Sequence, residues 1–351
     1  MTIHDVARRA RVSIATASRV LNGAETVRPD LARRVLAAIT ALDYRPNRVA
    51  RRLRASTSQL WALIVPDFEN VFFTRLSRGL EDVARLHDRC VFLGSSDDEF
   101  QKERRYLELA LAERVGGLVI APAEDDTDLS ELIDAGVPVV VVDRPLVYNE
   151  LVDTVISDNI AGGRLAAEHL QSRGYRKVAC IAGPPNPTSS DRLRGFVRYV
   201  ETSAPGMEVS AVIHGDNRFD GGYDAMGRLL MTAHQIDAIF VTNNLMTFGA
   251  LKALAIAGVR VPSDLGVIGF DVVEFFQASG IAITSVNQDS RLMGRLAGER
   301  ILSQRRPQSS RGQLLSLTPQ LVVGESTPSR NVETTRAACQ DGERTNADDV
   351  A

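Results

Sequence analysis

The chain has 351 residues, 44% apolar and 24% charged, which suits two or three packed units and excludes a disordered chain, a coiled coil or a small stapled scaffold. Its formal charge of −3 conceals a division, because residues 1–60 hold twelve arginines and no lysine against four acids. That is a head of +8 on a body of −11. Such asymmetry points to nucleic acid or an anionic membrane at one end. No apolar run reaches the ~20 residues that span a bilayer, and the N-terminus lacks a signal-peptide core, so no membrane partner is expected. Cys90, Cys180 and Cys339 are odd in number and lack metal spacing, which fits a reduced cytoplasmic compartment. His4, His87, His169, His214 and His234 are scattered, and no metal or cofactor is expected.

In chain order, Thr2-Ile3-His4-Asp5 reads as an N-cap with an acid three residues on, opening a helix through Ala10. Arg11-Val12 forms a turn, and Ser13 caps a second helix running to about Leu21, stopped by Asn22-Gly23. Pro29-Asp30 opens a third, with Leu31, Val35, Leu36, Ile39 and Leu42 on one apolar face. Val6, Ala10, Val12, Ala17 and Val20 supply the other walls of a small core. Arg45-Pro46-Asn47 breaks the pattern, and Arg48–Arg54 is a basic segment too short to be a stable helix alone.

From Leu60 the texture changes to apolar strand-like runs alternating with helical stretches. The runs are Leu60–Val65, Cys90–Leu93, Gly117–Ala121, Val137–Val142 and Thr154–Ile156, then Val178–Ala182, Ala238–Val241, Leu265–Phe270 and Ile281–Val286. Continuous apolar strands separated by helices predict parallel sheets covered on both faces. So many strands predict two doubly wound lobes with a cleft at the strand C-terminal ends. From 325 onward the chain turns polar without periodicity and is read as disordered.

Two helices joined by a short turn and followed by a third make a helix-turn-helix, whose second helix would enter the major groove. Ile14 and Ala15 would face base edges, with Arg19 one turn later suited to guanine O6 and N7. Ser13, Thr16 and Ser18 carry short hydroxyls suited to phosphate oxygens.

The words Thr2–Asn22 (TIHDVARRARVSIATASRVLN), Tyr44-Arg45-Pro46-Asn47 and Val49-Ala50-Arg51 resemble the lactose-repressor (LacI/GalR) family of bacterial transcription regulators. The resemblance continues through Ile64-Val65-Pro66-Asp67, Asn70, Asp143-Arg144-Pro145, Asp158-Asn159, Gly163 and Glu168-His169-Leu170. Arg192, Gly195-Phe196, Thr242-Asn243, Gly269-Phe270-Asp271 and Glu325-Ser326-Thr327 follow in family order, so that it covers about residues 2–327. It implies that 48–54 is a hinge helix that folds when two subunits lie over a bent operator, with Leu53 wedged between base pairs. The implied DNA contacts are Thr2, Ser13, Ile14, Ala15, Thr16, Ser18, Arg19 and Asn22 of the head, with Asn47, Arg48, Ala50, Arg51, Leu53 and Arg54 of the hinge. One departure is Arg11, where the family usually has glycine in the turn; a left-handed conformation there carries some cost.

The body resembles the periplasmic-binding-protein architecture that the family uses to sense a small molecule. Polyhydroxylated ligands need planar polar groups and an aromatic face. Arg192, Asn243 and Asp271 match the family's effector contacts, and Asp67, Phe72 and Phe73 would face them from the other lobe. Asn244 stands where an aspartate is common, Val272 follows Asp271 where a second aspartate is usual, and Val71 where proline is frequent. Asn217 replaces an aromatic, with Phe219 two residues later taken as its shifted counterpart. A hexose, pentose, sugar acid, nucleoside or phosphorylated ligand all remain open.

The expected architecture is therefore an α/β body of two doubly wound lobes with an all-α helix-turn-helix head. Its parts are the head at 1–45, a hinge at 46–58, a two-lobe body at 59–327 and a disordered tail at 328–351. Lobe 1 takes about 59–158 and 287–316, and lobe 2 about 159–286 and 317–327. The expected function is a homodimeric repressor binding a pseudo-palindromic operator under control of a small effector, a sugar or related metabolite. The tail carries no leucine heptad for tetramers. A plain sugar-binding protein would have no use for the basic head, and a regulator with a degenerate effector site is a second alternative. An oxidoreductase is disfavoured because no strand is followed by G-x-G-x-x-G.

Overall fold

Short capping signals delimit the helices of the head, and buried apolar runs become the central strands of the body. The computed structural model describes residues 1–21, 27–44, 58–147, 151–232, 235–272, 281–304 and 311–330. The chain divides into two compact units, Met1–Ser58 and Gln59–Ala351.

In the first unit, α1 is Ile3–Ala10, α2 is Ile14–Leu21 and α3 is Pro29–Ala41. The Asp5 carboxylate accepts from both the Thr2 amide (2.9 Å) and the Thr2 hydroxyl (3.0 Å), closing the first turn of α1. Arg11 ends α1 in the left-handed region at φ 50°. Arg34 compensates from α3 by donating to the carbonyls of Ala10 (2.6 Å) and Arg11 (2.9 Å), which the helix end leaves open. Val6, Ala7, Ala10, Ala17, Val35 and Ala38 form the buried core. Leu36, expected on the apolar face of α3, is instead 55% exposed, because the inward stripe runs through Val35, Ala38 and Ile39. The expected hinge as far as residue 57, with Asn22 and every candidate from Asn47 to Arg54, lies outside the described residues.

The second unit contains two six-stranded sheets. Its first lobe carries β1 (Leu60–Val65), α4 (Val71–Leu86), β2 (Cys90–Ser95), α5 (Phe100–Ala112), β3 (Leu118–Ile120), α6 (Ser130–Asp134), β4 (Val139–Val142) and β5 (Asp153–Ser157). The second follows with α7 (Asn159–Ser172), β6 (Lys177–Ala182), α8 (Pro187–Ser203), β7 (Glu208–His214), α9 (Phe219–Thr232), β8 (Ala238–Val241), α10 (Asn244–Ile256), β9 (Gly266–Phe270) and β10 (Thr284–Asn287). The chain then returns to lobe 1 with α11 (Ser290–Ser303) and β11 (Leu314–Leu317) and ends in lobe 2 with β12 (Gln320–Val322). The strand orders are β11-β5-β4-β3-β1-β2 and β12-β10-β9-β8-β6-β7. All pairings are parallel except β10 with β12.

Three strands have no counterpart among the expected runs: β7, β11 and β12. Each is an edge strand, and along each exposed and half-buried residues alternate. A search for continuous apolar stretches finds strands buried on both faces and passes over such edges.

Three pairs of helices pack tightly over the sheets, each pair meeting through reciprocal glycines. A Cβ on Gly163 of α7 would lie 1.9 Å from the Arg192 carbonyl oxygen of α8, and one on Gly195 would lie 2.1 Å from that of Ile160. Gly222 and Gly249 join α9 to α10 in the same way, and Gly79 and Gly294 join α4 to α11.

The polar stretch from 325, expected to be disordered, is ordered as far as Arg330. Ser326 and Thr327 are buried, their hydroxyls held by the Val267 carbonyl and by Thr284. Arg330 donates its amide to the Arg173 carbonyl at 2.9 Å. Side-chain hydrogen bonds, not apolar periodicity, fix this segment. Residues 331–351 lie outside the described residues.

His169 joins the same network, its Nε2 lying 2.7 Å from the Thr327 hydroxyl. Burial first, with Arg173 adding, pushes its pKa down to about 4. The folded value lies below the unfolded one, so the unfolded chain binds the proton more readily between them. The contribution of this imidazole to stability is therefore full above about pH 6.5 and is lost, by at most about 3 kcal/mol, as pH drops towards 4. Chemical denaturation across pH 4–7 should show this slope in the native protein and a flatter one in His169→Gln.

Candidate functional site

The head presents one face of α2 to solvent. Ala17 turns into the core, while Ile14, Ala15 and Arg19 are exposed and Ser18 is half-buried. Ser13 accepts from the Thr16 amide at 3.1 Å, and the two hydroxyls lie 2.8 Å apart. Ser13 is thus the N-cap of α2, and Thr16 is engaged with it. Thr2 is exposed at the start of α1. An exposed face with a long guanidinium and two small apolar groups is suited to reading base edges.

In the body, the loops after β1, β4, β6, β8 and β9 converge on one cleft with about 630 Å³ of open space, counting its mouth. Of the sequence candidates, Asp67, Phe72, Phe73, Arg192, Asn243 and Asp271 all line it. Phe219 does not. It opens α9, its ring lies 5.4 Å from the Lys252 ammonium, and its carbonyl packs where Gly249 leaves room. Asn217, left-handed at φ 65°, takes the wall position instead.

The geometry explains why these residues converge. Asn70, Asn186 and Asn243 are the N-caps of α4, α8 and α10, each accepting an amide hydrogen bond from its own helix. Three helix N-termini therefore point at the cleft with their capping amides, an arrangement that follows from short βα turns. Phe72 and Phe73 pack edge to face, with ring centroids 5.0 Å apart, as the apolar wall of lobe 1. Across the cleft, Asn244 donates to the Asn70 oxygen at 2.9 Å and ties the lobes directly. An aspartate at 244 would have no proton to give.

Arg192 is the buried centre of the lobe 2 wall. Its Nε donates to Asn159 Oδ1 (2.8 Å), its NH1 to the Thr242 carbonyl (2.9 Å), and its guanidinium lies 3.7 Å from the Phe270 ring centroid. Burial lowers its pKa, opposed by Asp271 and Asp143. Burial likewise raises Asp271, opposed by Arg192 and by two hydrogen bonds from Gln288. Gln288 donates its amide and Nε2 to the Asp271 carboxylate (2.8 and 2.6 Å). Its Oε1 is buried without a partner.

Asn70, Asp98, Arg144 and Gln288 are cleft residues absent from the sequence candidates. Their signal was position, since each follows a strand C-terminus by a few residues or lies in the loop it opens. Among the described residues there is no cluster of three or more His, Cys, Asp or Glu able to hold a metal. Nor is any helix among them long and apolar enough to cross a membrane.

Residues 2–47 match the model for bacterial regulatory proteins of the lacI family. Residues 58–313 match the model for periplasmic binding proteins and the sugar binding domain of the LacI family. The chain is 35% identical to the ribose operon repressor of Halalkalibacterium halodurans over 93% of its own length and 97% of the relative's. It is 31% identical to the HTH-type transcriptional repressor PurR of Salmonella enteritidis, covering 93% and 96%. Its fold is similar to that of the lac repressor dimer bound to operator and an anti-inducer (TM-score 0.80, 27% identity, 93% of this chain and 99% of that one). It is also similar to a LacI family regulator of Enterococcus faecium with bound ribose (TM-score 0.69, 25% identity, 77% and 99%).

Proposed function

Since the chain belongs to the lacI family of bacterial regulatory proteins, DNA-binding transcriptional repressors controlled by a small-molecule effector, we propose that its effector is a monosaccharide of about pentose size, held between the lobes. The observation that carries this reading is the opposition of the Phe72–Phe73 wall to the hydrogen-bonding wall of Arg192, Asp271 and Gln288. A sugar ring has an apolar face and a rim of hydroxyls that both give and take hydrogen bonds. Arg192 and Asn243 can donate, Asp271 accepts, and the unmet Gln288 Oε1 asks for one hydroxyl proton. The ribose repressor among the relatives and the ribose-bound neighbour support the same ligand class.

On this reading the protein works as a homodimer in the cytoplasm on a pseudo-palindromic operator. One head reads a half-site with Ile14, Ala15 and Arg19, while Ser13, Thr16 and Ser18 lie near the phosphates. The hinge candidates Arg48, Arg51, Leu53 and Arg54 would act at the operator centre. The effector acts by binding the two lobe arrangements unequally, and the Asn70–Asn244 bond is a direct tie between the lobes in the arrangement described. Thermal unfolding with a panel of aldopentoses, hexoses and nucleosides tests the ligand, and gel shift on an upstream palindrome tests the response. At 100 times its dissociation constant the right sugar adds about 2.7 kcal/mol of stability. A panel with no stabilising sugar would count against the reading.

A further inference from the structure

The charge of the cleft narrows the ligand class. Among the described residues, three arginines line it: Arg144, Arg192 and Arg218. Five aspartates line it as well, at 67, 98, 143, 216 and 271. The two buried guanidiniums are already matched. Arg192 lies in the field of Asp271 and Asp143. Arg144 NH1 donates to Asp98 Oδ1 at 2.5 Å and to the Pro122 carbonyl at 3.3 Å, and its Nε lies 3.8 Å from the Asp143 carboxylate. Next to Pro122, the buried Glu103 accepts from the Ala123 amide (2.7 Å) and the Thr127 hydroxyl (2.7 Å), which fixes the strand end that Arg144 grips. Arg218 stands at the exposed rim, in the field of Asp97.

A phosphate or carboxylate entering this cleft therefore meets more negative charge than positive, and must compete with Asp98 for the Arg144 fork. We propose that the cleft selects an uncharged polyhydroxylated ring and excludes its phosphorylated and carboxylated forms, and that Asp98, as counter-ion of Arg144, is the residue that enforces the exclusion. This rests on the sugar reading above and goes beyond it. Repulsion of the wrong ligand is as effective a source of specificity as attraction of the right one. Asp98 is well placed for this, because it adjoins the cleft mouth and is half-exposed, whereas Asp143 is buried and Asp271 is half-buried beneath Gln288.

Calorimetric titration of the full chain with an aldopentose, its 5-phosphate and its aldonate, for the native protein and Asp98→Asn, tests both parts. Asparagine keeps an oxygen for Arg144 and tolerates the left-handed φ of 59° at this position. The native protein is expected to bind the neutral sugar at least about tenfold more tightly than either anion. Asp98→Asn is expected to shrink that ratio by about fivefold or more, the ratio cancelling any change in affinity common to all three ligands. Asp98→Glu, which keeps the charge, should keep the discrimination. If the anions bind the native protein as tightly as the neutral sugar, the inference falls and the sugar reading stands. An unchanged ratio in Asp98→Asn removes Asp98 from the role. If none of the three ligands binds, the sugar reading falls and takes this inference with it.

Discussion

Arg192→Met is expected to lower effector affinity at least about 100-fold and to leave operator binding deaf to the effector. The guanidinium is held by Asn159 Oδ1 and the Thr242 carbonyl and backed by the Phe270 ring, so its remaining edge is aimed into the cleft at no further ordering cost. Methionine fills a similar volume but returns none of these bonds. It also strips Asp271 of its nearby cation, while Asp143 keeps Arg144, whose Nε lies 3.8 Å away. Breaking a buried pair costs about 3–5 kcal/mol when the orphaned charge persists. Here burial already raises both carboxyls, so Asp271 can take up a proton and soften the loss. The stability loss should accordingly shrink as pH falls. Arg192→Lys should not rescue binding, because a single ammonium cannot serve two acceptors in one plane. Calorimetric titration with the effector and gel shift with and without it read the outcome. Normal effector affinity in Arg192→Met would remove the arginine from the site.

Gly163→Ala should be among the most disruptive methyl additions at the described glycines, costing at least about 3 kcal/mol. Alanine gains about 1 kcal/mol of helix propensity over glycine, yet its Cβ would lie 1.9 Å from the Arg192 carbonyl oxygen and 2.8 Å from the Phe196 amide nitrogen. Both are backbone atoms, so no side chain can swing away, and α7 must part from α8. Arg192 rides on α8, and effector affinity should fall along with stability. Gly227→Ala supplies the contrast, since a Cβ there meets nothing within 4 Å and leaves only the propensity gain. Denaturant melts of the two variants should move in opposite directions. Equal, small shifts would mean that the helix pair relaxes cheaply.

How far the sequence reaches depends on what kind of signal each element carries. The head is local chemistry: Thr2 with Asp5, Ser13 before Ile14 and Pro29 at its helix start each act within one turn. Its helices are legible for that reason, and so is the left-handed Arg11, standing where a turn needs positive φ. Leu36 misled because helical spacing alone cannot say which edge of a stripe is covered. In the body the central strands are buried on both faces and read as apolar runs, whereas β7, β11 and β12 alternate at the edges and do not. The segment 325–330 was hidden for a different reason. Ser326 and Thr327 are buried through hydroxyl bonds to Val267 and Thr284, far away in sequence.

The site divides along the same line. Residue type, turn position and resemblance to a known family brought out Asp67, Phe72, Phe73, Arg192, Asn243 and Asp271, which share one cleft. The same reasoning carried Phe219 in with them, because two residues of chain cannot tell which way a helix start will turn. The sequence alone determined the charged head, the alternation of strands and helices, and the chemical kinds of side chain available to a ligand. Tertiary structure alone decided that Asp98 neutralises Arg144, that Gln288 orients Asp271 and that Asn244 reaches Asn70 across the cleft. Those pairings join residues 17 to 174 positions apart. Periodicity and capping act over a few residues, while a charge or an amide finds its partner only after the sheets have brought distant loops together.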